Sequence, residues 1–155
     1  MSAVGSIPSY VVDTSVVLKW FLETEEADVA EARALRATYV RGECLLRAPD
    51  FLFLEVANAL TTRQGSKAER VKEALNALGE IGLWLAPLRD STLSRAVELA
   101  VSLHVTVYDT YFLALAEQTG SRLVTADERF LRRALPNPSV VALRLLRHTG
   151  IDGLL

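Results

Sequence analysis

Four acidic residues lie where a parallel sheet and its helices would gather them. Asp13 directly follows the β-forming run at residues 10–12, and Asp127 comes two residues after Thr125, the end of another short apolar run. Because ligands in open α/β sheets bind at the carboxyl ends of the strands, we expect both acids at that edge. Asp109 stands at the start of an apolar helical stretch, where the helix dipole favours a negative charge.

The fourth acid, Glu55, interrupts a helix that is otherwise apolar. It lies between Leu54 and Val56, and its helical neighbours at spacings of three and four residues are Asn58 and Phe51. Two polar residues on one stripe of such a helix predict that the stripe faces something polar.

Each acid also has an ordinary explanation when it is taken alone. Asp13, Asp109 and Asp127 could each cap a helix, and Glu55 could be a solvated residue on a partly exposed helix. Four carboxylates that meet at one place repel each other unless a cation neutralises them. A set of oxygen ligands suits Mg²⁺ or Mn²⁺ rather than zinc or copper.

Competing site chemistries find little support in the sequence. His104 and His148 have no evident Ser or Cys partner, and we expect ordinary surface or boundary positions for both. Cys44 is the single cysteine, which rules out a disulfide within the chain and a cysteine-rich zinc site.

Short apolar runs alternate with helical patterns along the chain, which is typical of a parallel sheet covered on both faces. We predict a three-layer α/β/α sandwich with five parallel strands in one domain at residues 9–146, between a loose leader at 1–8 and a tail at 147–155. The predicted strands are 9–13, 44–49, 83–88, 122–125 and 139–143. The predicted helices include 15–21, 25–42, 50–65 capped by Asp50, a stretch opened by a capping box at Ser66 and Glu69, a helix capped by Asp90 or Ser91 that ends at about Leu103, 108–120 and 127–134.

From the composition we expect a cytoplasmic protein that does not associate with a membrane. Of the 155 residues, 50% are apolar and 23% charged, so a sizeable core can form. The start lacks a signal-peptide pattern, and no apolar run reaches about 18 residues. A net charge of −2 can still include basic surfaces. Two basic groups could bind RNA or be solvated helix faces: Arg129, Arg132, Arg133, Arg144 and Arg147, and Arg63, Lys67, Arg70 and Lys72.

Three sequence blocks resemble the PIN-domain family of metal-dependent ribonucleases, most of all its small VapC-type members, the toxins of toxin–antitoxin pairs. The blocks are VVDTSVVLKWF, PDFLFLEVANAL and VYDTYFLALAEQTGSRLVTADERFL, and the resemblance runs from about residue 10 to residue 143. It implies a PIN-like fold with a site around one or two Mg²⁺ or Mn²⁺ ions. The implied site residues are Asp13, Glu55, Asp109 and Asp127, with Thr14, Ser15, Asn58 and Thr125 beside them.

The resemblance also implies roles for these residues. Asp13 and Asp109 would bind the metal directly, and Glu55 and Asp127 would complete its shell, directly or through water. Ser15 would hold a phosphate oxygen or a metal-bound water. A divalent ion can activate water and neutralise the phosphate, as phosphodiester cleavage requires.

An RNA substrate, a small antitoxin partner and a homodimer follow from the same resemblance. A housekeeping nuclease without an antitoxin, or a non-catalytic PIN fold that binds RNA or protein, remain alternatives. A signalling receiver domain is a further rival, but Asp13 has no acidic neighbour, Leu88 and Arg89 end the middle strand, and the last strand offers no Lys.

Overall fold

The computed structural model describes residues 5–22 and 26–146. The first four residues of the predicted leader and the whole predicted tail, with Arg147 and His148, lie outside the described residues. The domain boundaries at residues 9 and 146 therefore stay predictions.

Five strands form one sheet in which every pair of neighbours is parallel. Their order is β3-β2-β1-β4-β5, which confirms the predicted five-stranded parallel sheet. It differs from the order 2-1-3-4-5 of receiver-type folds. The strands are β1 (Ser9–Val12), β2 (Leu45–Pro49), β3 (Trp84–Ala86), β4 (Arg122–Thr125) and β5 (Val140–Ala142).

Helices connect the strands and cover the sheet. Right-handed crossovers that run in opposite directions along a sheet put their helices on opposite faces, which gives the predicted three layers. The helices are α1 (Thr14–Lys19), α2 (Val29–Val40), α3 (Leu52–Thr61), α4 (Ala68–Ile81), α5 (Asp90–Leu103), α6 (Val107–Thr119) and α7 (Glu128–Ala134), and a 3₁₀ turn follows β5 at Leu143–Leu145.

Helix α6 is the central helix of the core. Residues 110–116 are all buried, and the helix contacts β1, β2, β4 and α5. A helix that is apolar on every side must be buried in this way. Its first turn, which carries Asp109, is thereby held beside the sheet.

The carboxyl ends of β1 and β4 lie side by side at the point where the chain changes direction along the sheet. The chain runs outward from β1 to β2 and β3, and then crosses to β4 and β5 on the other side of β1. The backbone N–H of Asp13 continues this pairing beyond the strand, because it donates to the carbonyl of Val124 at 3.0 Å. This is the place where open α/β sheets bind ligands.

The ends of α3 and the start of α4 differ from the sequence predictions. Asp50 is exposed and does not cap α3, whose N-cap is Phe51. The helix ends at Thr61 rather than at Gly65, because the hydroxyls of Thr61 and Thr62 bond back to carbonyls one turn earlier and compete with the helical pattern.

The capping box predicted at Ser66 and Glu69 is wrong, and so is the cap predicted at Asp90 or Ser91, because the N-cap of α5 is Arg89 and no side chain caps that helix. Helix α4 begins at Ala68 with Lys67 at the N-cap position, and no side chain caps it. The Ser66 N–H instead donates to the carbonyl of Arg63 in the turn between the two helices.

In the described residues, no helix taken singly has both the length and the hydropathy to cross a bilayer. Only α5 and α6 together pass that test, and they meet at a bend of 120°.

Candidate functional site

Asp13 is the buried centre of the candidate site. Its side chain is only 8% exposed, and it forms the N-cap of α1 immediately after β1. Its Oδ2 atom accepts hydrogen bonds from Ser15 Oγ at 2.6 Å, Thr125 Oγ1 at 3.0 Å and the Ser15 N–H at 3.4 Å. One oxygen of the carboxylate is therefore held by three donors.

The hydroxyls of Ser15 and Thr125 also hold the loop that follows β4. Ser15 Oγ accepts from the Ala126 N–H at 3.0 Å, and Thr125 Oγ1 accepts from the Asp127 N–H at 3.1 Å. Each hydroxyl donates to Asp13 and accepts from this loop, so together they join the start of α1 to the start of α7. Ser15 thus positions Asp13, and its contact with a phosphate oxygen or a metal-bound water stays a prediction.

Glu55 reaches the same region from α3. It is half-buried, and its Oε2 atom accepts a hydrogen bond from Thr14 Oγ1 at 2.5 Å. The stripe of α3 that carries Glu55 therefore faces a polar group, as the sequence predicts. Phe51, on the same stripe, packs edge-on against the rings of Tyr111 and Phe112, with centroid distances of 5.2 and 5.6 Å.

Asn58 lies one turn further along α3 and is exposed. Its side chain makes no hydrogen bond with any residue that the structure describes. The structure therefore does not bring Asn58 into the network around Asp13 and Glu55, and its role stays a prediction.

Asp109 is the third residue of α6 and does not cap it. The N-cap is Thr106, whose hydroxyl accepts from the Asp109 N–H at 3.3 Å and donates to Asp109 Oδ2 at 3.0 Å. Thr106 was not among the predicted site residues. The Thr-x-x-Asp spacing before an apolar run is a capping signal that would have identified it.

Asp127 is the N-cap of α7. Its Oδ1 atom accepts from the N–H groups of Arg129 and Phe130 at 3.0 and 3.2 Å. The capping explanation is therefore correct for Asp127 and for Asp13. It does not exclude a shared site, because in each residue the cap uses one carboxylate oxygen and leaves the other.

The electrostatic effects on these acids show that Asp109 interacts with the other three. Burial raises the pKa of Asp13 to about 6, and the charge of Asp109 adds to this rise while Ser15 and Thr125 oppose it. Burial raises the pKa of Glu55 too, against the hydrogen bond from Thr14, and Asp109 again adds to the rise. The pKa of Asp109 itself is raised by burial and by the charge of Asp127, against the hydrogen bond from Thr106.

The four carboxylates have the oxygen donors that a hard cation prefers. In the part of the chain that the structure describes, each uses one oxygen in hydrogen bonds to the protein and keeps the other without a protein donor. Across residues 5–22 and 26–146, no three His, Cys, Asp or Glu side chains lie close enough together to hold one ion as placed. The donor chemistry fits Mg²⁺ or Mn²⁺, and three of these side chains would have to move closer together to hold one ion.

An open cleft of about 750 Å³ adjoins two of the acids. Asp109 and Asp127 contribute negative charge to its wall, and three arginines of α7 contribute positive charge. The lining residues are His104, Val105, Thr106, Asp109, Asp127, Arg129, Phe130, Arg132 and Arg133.

Comparisons with known proteins identify the family and the fold. The family model described as PIN domain matches residues 10–135. Ribonuclease VapC3 of Pyrobaculum aerophilum is 31% identical over 127 residues, which are 79% of this chain and 92% of that protein. The crystal structure of PAE2754, also from P. aerophilum, has a TM-score of 0.61 and 21% identity, and covers 91% of this chain and 95% of its own. A toxin–antitoxin complex from Klebsiella pneumoniae has a TM-score of 0.61 and 16% identity over 86% of this chain and 97% of its own.

Proposed function

We propose that this chain, which belongs to the PIN-domain family, is a metal-dependent ribonuclease that hydrolyses phosphodiester bonds in RNA. Its relative named as a ribonuclease is 31% identical over 79% of the chain. The observation that carries the proposal is the position of Asp109, whose charge interacts with those of Asp13, Glu55 and Asp127 at the carboxyl edge of the sheet.

Asp13 and Asp109 would hold a Mg²⁺ or Mn²⁺ ion, with Glu55 and Asp127 completing the shell. Such an ion, when bound, activates water and neutralises phosphate charge. The chain itself orients the ligands. Hydroxyl groups hold one oxygen of each of three acids and leave the other for the ion: Ser15 and Thr125 on Asp13, Thr14 on Glu55, and Thr106 on Asp109.

Removal of the divalent ion tests this proposal. We expect the purified chain to cleave single-stranded RNA with added Mg²⁺ or Mn²⁺, and EDTA to lower the rate at least ~10²-fold, as loss of a metal-held water should. Excess Mg²⁺ added after EDTA should restore the rate, which controls for damage to the protein. Undiminished cleavage in EDTA would contradict the mechanism, and metal binding without cleavage of any RNA would favour the non-catalytic alternative.

A small antitoxin is the proposed partner, and the chain would then be a toxin of the VapC type. The solved structures of similar fold include one described as a toxin–antitoxin complex and one described as a member of a family of toxin–antitoxin systems. Leu54 and Tyr108 are 73% and 68% exposed, and they directly precede Glu55 and Asp109 in the sequence. A peptide with apolar side chains and one Arg could cover both residues and pair with the carboxylates.

Expression with and without the partner tests the toxin role. We expect the wild-type chain alone to slow growth or express poorly, because a free ribonuclease degrades cellular RNA. The Asp13→Asn/Asp109→Asn double variant should express freely and still retain the partner, since most of the expected interface is apolar. Healthy growth with the wild-type chain, and no small partner in pull-downs, would leave a housekeeping nuclease.

The homodimer and the cytoplasmic location stay predictions. Val97 and Val101 are exposed one turn apart on α5, and apolar side chains so placed could meet their copies across a two-fold axis.

A further inference from the structure

Three arginines of α7 lie on one side of the helix. Arg129, Arg132 and Arg133 have the spacing i, i+3, i+4, which places them on a common face. All three are exposed, and all three line the cleft of about 750 Å³ beside Asp109 and Asp127.

The guanidinium groups of these arginines have no protein partner among the described residues. Other arginines of the fold do have one. Arg144 pairs with Glu128 at 2.7 Å, and Arg95 pairs with Glu117 at 2.8 Å. Glu128 is the acidic residue of α7, and it pairs with Arg144 outside the helix rather than with an arginine of α7. The cleft therefore keeps three positive charges for a ligand.

The positive charges begin beside the acids and extend away from them. Asp127 caps α7, so the helix starts at the carboxylate cluster. Arg132 and Arg133 come five and six residues later, which is roughly 8 to 9 Å along the helix axis. A ligand that contacts Arg129 at the start of the helix and Arg133 one turn later must carry several negative charges that are spaced along a chain. A cleft of this volume has the size of a small-ligand pocket and admits a few nucleotides of one strand rather than a duplex.

We infer that Arg129, Arg132 and Arg133 bind the phosphates of single-stranded RNA beside the scissile position, an inference that rests on the proposed ribonuclease function. Carboxylates repel a polyanion, and the arginines offset this repulsion next to the cluster. Guanidinium groups pair with phosphate oxygens in a bidentate way. Contacts to phosphate carry no base information, so this part of the affinity is the same for different sequences.

Binding in EDTA tests the inference, because cleavage is then suppressed. The variant Arg132→Gln/Arg133→Gln is compared with Arg36→Gln/Arg122→Gln, which removes the same charge from two residues that do not line the cleft. The probes are short labelled oligo-U and oligo-A, and fluorescence anisotropy gives the Kd from about 50 to about 200 mM salt. Far-UV circular dichroism checks the fold of each variant.

We expect the cleft variant to raise Kd about 10-fold at low salt for both oligonucleotides. The slope of log Kd against log salt should decrease by about 1.4, since each lost contact on a single strand removes about 0.7. The control variant should stay within about twofold of wild type. Arg132→Lys/Arg133→Lys should recover most of the affinity, because Lys still binds phosphate as a point charge.

Several outcomes would overturn the inference. They are no oligonucleotide binding by the wild-type chain at low salt, an unchanged Kd in the cleft variant, and an equal loss in the control. Tighter binding of a polyglutamate peptide than of RNA would assign the arginines to an acidic protein segment instead.

Kinetics with Mg²⁺ separate this inference from the proposed activity. The cleft variant should raise KM with little change in kcat, since the arginines bind substrate without touching the reacting atoms. If the wild-type chain cleaves RNA and the cleft variant has the same KM, the arginine site is rejected and the ribonuclease activity is not. Arginine-dependent binding without any cleavage would reject the ribonuclease activity and leave the RNA-binding surface.

Discussion

Asp109→Asn is expected to lower kcat for RNA cleavage at least ~10²-fold at saturating Mg²⁺, with the fold retained. Asp109 is the one acid whose charge interacts with those of Asp13, Glu55 and Asp127, so its loss affects the whole set. An Asn side chain can still accept the hydrogen bond from Thr106, which keeps the first turn of α6 intact. Steady-state cleavage of a labelled RNA, with circular dichroism of each protein, measures the effect.

The matched control for this variant is Asp90→Asn. Asp90 is also an acid in the first turn of a helix, α5, but it is exposed and does not line the cleft. Its removal takes away the same charge and should leave kcat within about twofold, as expected for a surface position. If Asp109→Asn keeps a third or more of the wild-type kcat, the proposed ligand role of Asp109 is wrong.

Asp13→Asn is expected to stabilise the metal-free protein at neutral and alkaline pH. Burial raises the pKa of Asp13 from 3.8 to about 6, so the folded state holds the proton more tightly than the unfolded chain does. The contribution of Asp13 to the stability of wild type is therefore most favourable below pH 3.8, becomes less favourable as pH rises to about 6, and stays unfavourable above it. The shift of about two pK units corresponds to about 3 kcal/mol, at about 1.4 kcal/mol per unit.

Urea unfolding in EDTA between pH 4 and pH 8 measures this effect. The free energy of unfolding of the variant should lack the fall that Asp13 causes in wild type, so the advantage of the variant should grow from pH 3.8 to about pH 6 and be complete above that. Mg²⁺ should then stabilise wild type more than the variant, because binding to the folded state adds stability.

Asp127→Asn serves as the comparison for the stability measurement. Asp127 caps α7 through two backbone N–H groups, and Asn is an equally good cap, so we expect a change below about 0.5 kcal/mol. If Asp13→Asn is less stable than wild type at pH 8 in EDTA, the charged carboxylate of Asp13 does not destabilise the folded protein, and the prediction is wrong.

The strands were predictable because each is a short apolar run that ends at a polar or turn-forming residue. Residues 10–12 and 122–125 have no other reasonable structure in a chain of alternating strands and helices. The start of α4 was not predictable in the same way. Ser66 and Glu69 have the spacing of a capping box, in which Glu69 would accept from the Ser66 N–H. In the structure that N–H donates to the carbonyl of Arg63 in the turn after α3. The spacing of two residues does not show which of these hydrogen bonds forms.

The acids of the site were recognisable because each interrupts or closes an apolar run. Their hydrogen-bond partners were not recognisable to the same degree. Thr125 donates to Asp13 across 112 residues of chain, and only the pairing of β1 with β4 brings the two together. The pairing of Arg144 with Glu128, which leaves the other arginines to the cleft, likewise depends on the position of the turn after β5.

The long separation between Asp13 and Thr125 has a consequence during synthesis on the ribosome. Asp13 is translated early, but its hydrogen-bond partner and Asp127 belong to the last fifth of the chain. Domains emerge amino end first at about 5–20 residues per second, so for several seconds a nascent chain carries Asp13 without the rest of the cluster. A growing chain thus stays inactive until β4 is released and inserts beside β1. The order of translation therefore delays the assembly of the site until β4 has left the ribosome, and a partner that covers the complete site could bind only after that.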